Sequence, residues 1–260
     1  MENPARPASV PERLISPINH KILLFILGVV VVYQLYIISI PKEEAETAIT
    51  IASIVFPAIA GGMAFYVANK YRGSYVFGRA YFALGLGLVM NSLAETVWLV
   101  YYFLGEDPYP SVADIFVFAF YPLALYHLVK NIRFFKPKIG VATKILIAII
   151  PICIVATYST VSLQAIGEAN FDYYYGLIYV ISAAIVLSAA ILGARIFRQG
   201  ILGKAWLILV LGIVCTTFGD LWYFYLENYD QYYLTHPVDL FWYAGYMVIT
   251  YALFKHKKII

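Results

Sequence analysis

Residues 78–100, GRAYFALGLGLVMNSLAETVWLV, align without a gap on residues 203–225, GKAWLILVLGIVCTTFGDLWYFY, at an offset of 125 residues. Apolar matches carry little weight in an apolar chain, so the polar matches are the informative ones. They are Glu95 on Asp220, Asp114 on Asp239 and Lys130 on Lys255. Self-similarity at a fixed period indicates a duplicated structural unit. We therefore predict two repeated units.

The composition predicts an all-α membrane protein. The 260-residue chain is 62% hydrophobic and only 13% charged, which is unlike a soluble domain. A membrane-spanning helix needs roughly 20 mostly apolar residues. Eight such stretches lie near 22–40, 47–68, 80–104, 112–130, 145–163, 173–194, 205–227 and 238–254. The predicted parts are an N-terminal segment, 1–20, a first four-helix repeat, 21–136, and a second, 137–260.

The basic residues predict the orientation. With eight spans, 17 of the 18 Lys and Arg residues fall on one side, and only Lys42 falls on the other. Basic residues are retained in the cytoplasm, so both termini are expected there, in a cell membrane. Because each unit has an even number of spans, the two repeats are parallel and related by a pseudo-two-fold axis along the membrane normal.

Two acids fall at membrane depth. Glu95 lies 16 residues after Arg79, about 24 Å along a helix at roughly 1.5 Å per residue, and Asp220 has the same depth by the repeat. Acids inside a bilayer usually face the bundle interior and mark function. The alternative is a protonated acid that only holds neighbouring helices together.

Two further acids, Asp114 and Asp239, fall in the first turns of predicted helices on the outer side. Capping is one explanation, because Ser111 and Asp114 match a capping box. The other is a site, because the segments that begin with the two acids are also repeated, DIFVFAFY against DLFWYAGY. We expect Asp114 to point toward the third helix of its own unit, and Asp239 to point likewise toward the seventh.

The outer side is acidic and aromatic. It carries 13 of the 15 acids, which would concentrate cations there. The predicted ligand-binding aromatic residues are Trp98, Tyr121, Trp222 and Tyr246. They could hold an organic cation by cation–π contact, or form part of an interfacial aromatic belt. His236 with Asp239 is a weak metal candidate, so the metal question stays open. No cofactor or nucleic-acid partner is expected.

Three segments together carry a family resemblance: PSVADIFVFAFYPL, AETVWLVYYFLG and DLFWYAGYMVITYAL. They resemble the multi-pass membrane sensor regions at the N-termini of prokaryotic diguanylate cyclases and histidine kinases. The matching positions are Glu95, Asp114, Tyr121, Pro122, Asp220 and Asp239. The resemblance implies a stimulus-sensing membrane module. The sequence ends with KHKKII after the last predicted helix, so signalling is expected to pass through a separate partner.

The functional prediction is a non-enzymatic sensor or small-molecule-binding membrane protein with an outward-facing site for a cation. Paired acids at membrane depth and parallel repeats also suit the alternative of a proton- or cation-coupled transporter. An intramembrane hydrolase that uses an acid as a general base is a third possibility. No nucleophile or metal set accompanies the acids in the sequence.

Overall fold

The protein is described by a computed structural model that covers residues 19–106, 109–135, 138–197 and 203–258. Most of the predicted N-terminal segment, residues 1–20, lies outside this part of the chain. The helices are α1 His20–Ser39, α2 Lys42–Lys70, α3 Phe77–Leu104, α4 Val112–Phe134, α5 Val141–Ile166, α6 Phe171–Phe197, α7 Gly203–Glu227 and α8 Asp239–Lys258. Each overlaps one predicted stretch, with ends that agree to within about five residues.

Seven of the helices, α1 to α7, are long and apolar enough to cross a membrane. The prediction of an all-α chain with long apolar helices suited to a multi-pass bundle is confirmed. A lipid environment leaves no water to satisfy backbone N–H and C=O groups, which favours helices over open strands. The eighth helix is less apolar, with Asp239 at its start and Lys255 near its end, and it packs against α1, α2 and α7.

Local sequence determines several helix ends. The side chain of Asn19 accepts a hydrogen bond from the backbone N–H of Lys21 and caps α1. Helices α3 and α5 end at Gly105 and Gly167, whose φ angles of 68° and 83° suit glycine because it lacks a Cβ atom. Short connections then reverse the chain, so consecutive helices run antiparallel.

Six helices form a closed ring in which each packs against two neighbours, in the order α2, α3, α4, α6, α7, α8 and back to α2. The ring has two contacts between its halves, the α2–α8 seam and the α4–α6 seam. Helix α1 lies against α8 and α2, whereas α5 lies against α6 and touches α7. Most of the surface of α5 is exposed, since Tyr158 and Ser162 are its buried residues.

Glycines allow the closest helix contacts. A Cβ atom added to Gly61 of α2 would lie 3.1 Å from the carbonyl oxygen of Gly85 on α3. On the other side of the ring, a Cβ atom on Gly212 of α7 would lie 2.9 Å from the carbonyl oxygen of Gly245 on α8. Small residues at such crossings let helix backbones approach and pack tightly.

The two ends of the bundle differ. The acidic end holds the C-terminal ends of α1, α3, α5 and α7 and the N-terminal ends of α2, α4, α6 and α8. The opposite helix ends form the basic end. Toward the basic end the ring interior is filled by large side chains that are at most 2% exposed, among them Tyr81, Leu128, Trp206 and Leu253. The four acids predicted to form a site lie in the half of the bundle nearer the acidic end. They are Glu95, Asp114, Asp220 and Asp239.

Candidate functional site

Asp114 begins α4 with the predicted capping box. The backbone N–H of Ser111 donates to Asp114 Oδ2 over 2.7 Å, and Ser111 Oγ accepts from the backbone N–H of Ala113 over 3.2 Å. This arrangement satisfies donors that a helix start leaves without partners. The capping prediction is therefore confirmed for α4.

The second oxygen of Asp114 crosses the α4–α6 seam. The hydroxyl of Tyr179 on α6 donates to Asp114 Oδ1 over 3.0 Å in a buried setting. The expectation that Asp114 points toward α3 within its own unit is wrong. Helix α4 packs on α6 as well as on α3, and the hydroxyl on α6 is the donor that reaches the carboxylate.

A row of packed tyrosine rings runs from Asp114 to the acidic end of the bundle. Tyr179 packs against Tyr175 with ring centres 5.3 Å apart, and Tyr175 packs against Tyr109 at 5.0 Å. The Tyr109 hydroxyl donates to Asp172 over 3.0 Å. Burial, followed by the hydrogen bond to Asp172, raises the pKa of Tyr109, so this hydroxyl stays protonated. These contacts tie the α3–α4 connection to α6.

Asp220 is the half-buried acid of α7. The indole N–H of Trp242 on α8 donates to Asp220 Oδ1 over 2.9 Å. The hydroxyl of the buried Tyr121 on α4 also interacts with this carboxyl group. Asp220 therefore faces the interior of the ring, where α4, α7 and α8 all contribute to its surroundings.

Glu95 and Asp239 lie within electrostatic range of each other. Glu95 is half-buried on α3 and Asp239 is buried at the start of α8. The Tyr232 hydroxyl donates to Asp239 Oδ1 over a long 3.4 Å, while the buried Oδ2 has no hydrogen-bond partner within the described residues. Asp239 thus interacts with Tyr232 and the backbone of Thr235 in the α7–α8 connection and with Glu95 on α3. The expectation that it points toward α7 stays a prediction.

Tyr246 connects the two deeper acids. Its hydroxyl accepts a hydrogen bond from the side-chain amide of Asn91 on α3 over 3.2 Å. The same tyrosine interacts electrostatically with both Asp220 and Glu95. We refer to Glu95, Asp220, Asp239 and Tyr246 as the acid cluster.

Aromatic rings surround the Asp239 side of the acid cluster. Tyr243 packs edge-on against Tyr33 and Phe56, with ring centres 5.5 and 5.6 Å apart. On the other side, Tyr223 packs against Tyr232 at 4.9 Å and against Trp242 at 5.7 Å. Burial, followed by the nearby Asp239, raises the pKa of Tyr232 and keeps its hydroxyl available as a donor.

The predicted aromatic residues divide into two groups. Tyr121 and Tyr246 interact with the acids of the cluster. The ring contacts of Trp222 are with Phe218, Phe241 and His236, away from the acid cluster. Trp98 is half-buried, and its indole N–H has no hydrogen-bond partner within the described residues. The donor to Asp220 is Trp242 on α8. Trp222 cannot take this role, because residues two apart on a helix, such as 220 and 222, point in different directions.

His236 has a local role. Its Nδ1 atom accepts a hydrogen bond from the backbone N–H of Val238 over 3.1 Å, just before α8 begins. Burial lowers the pKa of His236, which favours the neutral form that can accept this bond. Across the described residues, no group of three or more His, Cys, Asp and Glu side chains is arranged to hold a metal ion.

Sequence reasoning missed the partners that come from helices that are not consecutive in the chain. Tyr179 and Tyr175 on α6 and Tyr33 on α1 belong to this group. The signal for the first two was their spacing of four residues, which places both on one face of α6. The sequence held no comparable signal for Tyr33.

The acid cluster has no basic partner within the described part of the chain. The one ion pair found there joins Lys42 to Glu46 on the surface of α2. Comparison with family models, with curated proteins and with solved structures gives no match for this chain. The chemistry of the site is therefore argued from its own residues.

Proposed function

We propose that the protein is an integral membrane sensor or binding protein whose acid cluster binds a small organic cation from the outer side of the cell membrane. On this proposal all eight helices span the membrane and both termini lie in the cytoplasm. The acidic end faces outward, since the basic end carries the residues that the positive-inside rule retains. The resemblance to prokaryotic sensor regions supports a signalling role through a separate partner.

Helix packing supports the proposal of two parallel four-helix repeats. An offset of 125 residues carries α2 to α6 and α8 back to α4, so the α2–α8 seam corresponds to the α4–α6 seam. Gly87 of α3 packs against Phe120 of α4, and the corresponding residues Gly212 and Gly245 pack together between α7 and α8. A central site would then be built from matching helices of both units.

The observation that carries the functional proposal is the pair of acids Glu95 and Asp239. Two carboxylates near each other and without a basic partner repel each other when both are ionised. A bound cation relieves that repulsion, and it also provides a partner for the unpaired Asp239 Oδ2. An acid as buried as Asp239 is retained at a cost in stability, which supports a role in binding.

A comparison of the two seams supports the Asp239 side as the ligand site. Asp114 has both oxygens engaged, by Ser111 and by Tyr179. The position that corresponds to Tyr179 in the first unit is Ile54, which offers no hydroxyl group to Asp239. Asp114 therefore closes one seam, whereas Asp239 keeps an oxygen for a ligand.

The surrounding rings support an organic cation. Tyr232 and Tyr243 both interact with Asp239, and Tyr246 and Tyr223 interact with Glu95. Aromatic faces near carboxylates attract alkylammonium groups, which bring both charge and apolar surface. A small inorganic ion would use the carboxylates and leave the rings without a role.

The filled basic end favours binding over transport. Large buried side chains occupy the ring interior there, including Tyr81 and Trp206, so packed side chains separate the acid cluster from the basic end. A proton- or cation-coupled transporter is the second candidate, because Glu95 and Asp220 are acids at membrane depth. Transport would require these large side chains to move aside.

Thermal unfolding of the purified protein in detergent tests the proposal. Tetramethylammonium and other alkylammonium salts should raise the melting temperature in a saturable manner, because a ligand that binds the folded state stabilises it by about 2.7 kcal/mol at 100 times its Kd. Glu95→Gln and Asp239→Asn should abolish the rise. Glu168→Gln removes an exposed acid at the same end and should leave it intact.

A rise of equal size in all four proteins would mean non-specific binding, and the absence of any rise would refute the proposal. Vesicles containing the protein separate the two candidate functions. Uptake of labelled cation or of protons that is lost in Glu95→Gln and in Asp220→Asn would favour the transporter.

A further inference from the structure

Two histidines occupy the ring interior far from the acid cluster. His127 on α4 and His256 on α8 are both fully buried, with 0% exposure. Both pack against the same two rings: Tyr81 lies 4.8 Å from His127 and 5.6 Å from His256, and Trp206 lies 5.5 and 6.0 Å from them. Four helices, α3, α4, α7 and α8, therefore bring one side chain each to this point.

Backbone contacts determine the tautomer of each imidazole. His127 Nδ1 lies 3.0 Å from the carbonyl oxygen of Ala80, and His256 Nδ1 lies 2.8 Å from the carbonyl oxygen of Ala252. A carbonyl oxygen only accepts, so each Nδ1 carries the proton and donates it. Each Nε2 is then an unprotonated nitrogen with a lone pair, and both Nε2 atoms are buried without a hydrogen-bond partner in the described residues.

Asn131 adds a third acceptor. It lies one helical turn after His127. Its Nδ2 atom lies 3.5 Å from His127 Nδ1 and donates to the carbonyl oxygen of His127 over 2.7 Å. That bond identifies the nitrogen of the amide, so the remaining atom, Oδ1, is an acceptor. It too is buried and has no partner in the described residues.

Three buried acceptors without donors require an explanation, because each unsatisfied group costs about 1–3 kcal/mol. A water molecule in contact with all three atoms would have only two protons to donate. A metal cation accepts several lone pairs at once. The arrangement of a histidine that presents Nε2 while Nδ1–H donates to a backbone carbonyl is also the usual one for a metal ligand.

We propose that His127, His256 and Asn131 bind a late transition-metal cation, and that this cation is Cu⁺. Imidazole nitrogen suits copper and zinc among the first-row metals. The choice between them follows from charge. Among the described residues, the acids all lie toward the other end of the bundle, so this site offers only neutral ligands. Burying two positive charges without a counter-charge costs far more than burying one.

Copper binding tests this proposal without reference to the acid cluster. The full chain, purified in detergent with Cys153→Ser and Cys215→Ser so that no thiol competes, is titrated with Cu⁺ under ascorbate against a chromophoric Cu⁺ chelator. We expect one equivalent of Cu⁺ to be withdrawn from the chelator. X-ray absorption should show nitrogen and oxygen neighbours only.

Matched histidine variants assign the ligands. His127→Gln and His256→Gln keep a polar side chain of similar size, and each should abolish the one-equivalent binding. A His20→Asn and His236→Ser double variant removes the other two histidines of the chain and should retain it.

Several results would overturn the proposal. They are no stoichiometric Cu⁺ binding, binding that survives both glutamine variants, and an absorption spectrum without imidazole scattering. The last result is decisive even if the variants fail to fold, because it comes from the protein with all four histidines. Tighter binding of Zn²⁺ than of Cu⁺ at the same histidines would overturn the assignment to a monovalent ion.

Discussion

Tyr179→Phe provides a direct measure of the contact that closes the α4–α6 seam. The substitution removes one oxygen atom, the donor that lies 3.0 Å from Asp114 Oδ1, and leaves the ring contact with Phe118 at 4.2 Å in place. Because Asp114 Oδ2 keeps its bond from Ser111, the capping box of α4 should survive. The change in stability therefore reports the loss of the Tyr179 hydroxyl, which interacts with Asp114 and with Tyr175.

The expected size of that change follows from the setting of the bond. Hydrogen bonds between membrane helices contribute about 0.6 kcal/mol on average. Removing one partner of a buried hydrogen bond costs more, about 1–3 kcal/mol, because the other partner is left unsatisfied. We expect a loss in the second range, because Tyr179→Phe leaves the buried Asp114 Oδ1 without its donor.

The measurement is equilibrium unfolding of the purified protein in mixed micelles as the fraction of denaturing detergent rises. A double-mutant cycle with Asp114→Asn isolates the coupling between the two side chains. Tyr174→Phe is the matched control, since Tyr174 lies on the same helix and is 55% exposed. A coupling energy below about 0.5 kcal/mol, or an equal loss in Tyr174→Phe, would refute the role of this bond in the seam.

Two further predictions concern helix packing and pH. Gly61→Ala should destabilise the fold by about 1–3 kcal/mol in the same assay, because the new Cβ atom would meet the Gly85 carbonyl oxygen at 3.1 Å. Gly62→Ala is the control. Its new Cβ atom would have nothing within 4 Å, so this variant should be neutral or slightly stabilising. Equal effects of the two alanines would contradict the close contact. Burial lowers the pKa of His236, so its contribution to stability is present above the ordinary histidine pKa of about 6.5 and is lost as the pH falls. His236→Ser keeps an acceptor for Val238 and should reduce the fall in melting temperature between about pH 7.5 and pH 5; an unchanged pH profile would exclude His236 as its source.

Local sequence was sufficient to predict the helices and their ends. Apolar length located the spans, and the S-x-x-D pattern predicted the capping box at Ser111 and Asp114 because capping depends on residues only three apart. The depth of Glu95 along its helix also came from the sequence, since the rise per residue of a helix is constant. These features all depend on short-range geometry, which the order of the residues determines directly.

The partners of the acids could not be predicted in the same way. Asp114 on α4 bonds to Tyr179 on α6, and this contact depends on which helices are neighbours in the ring. Short loops make consecutive helices neighbours, but no local pattern indicates that α4 packs on α6. The prediction of Asp114 facing α3 was wrong because it considered only the helix joined by a short loop.

Positions 125 residues apart carry different side chains at the two proposed sites. Tyr179 corresponds to Ile54, so the hydroxyl that engages one helix-start acid is missing for the other. His127 corresponds to Ala252, whose backbone carbonyl instead orients His256. On the proposed duplication, the helix contacts occur twice, because glycine crossings and seams depend on shape. A binding site needs an atom without a partner, and Asp239 Oδ2 is such an atom in the proposed site, because Ile54 stands where the other half has Tyr179.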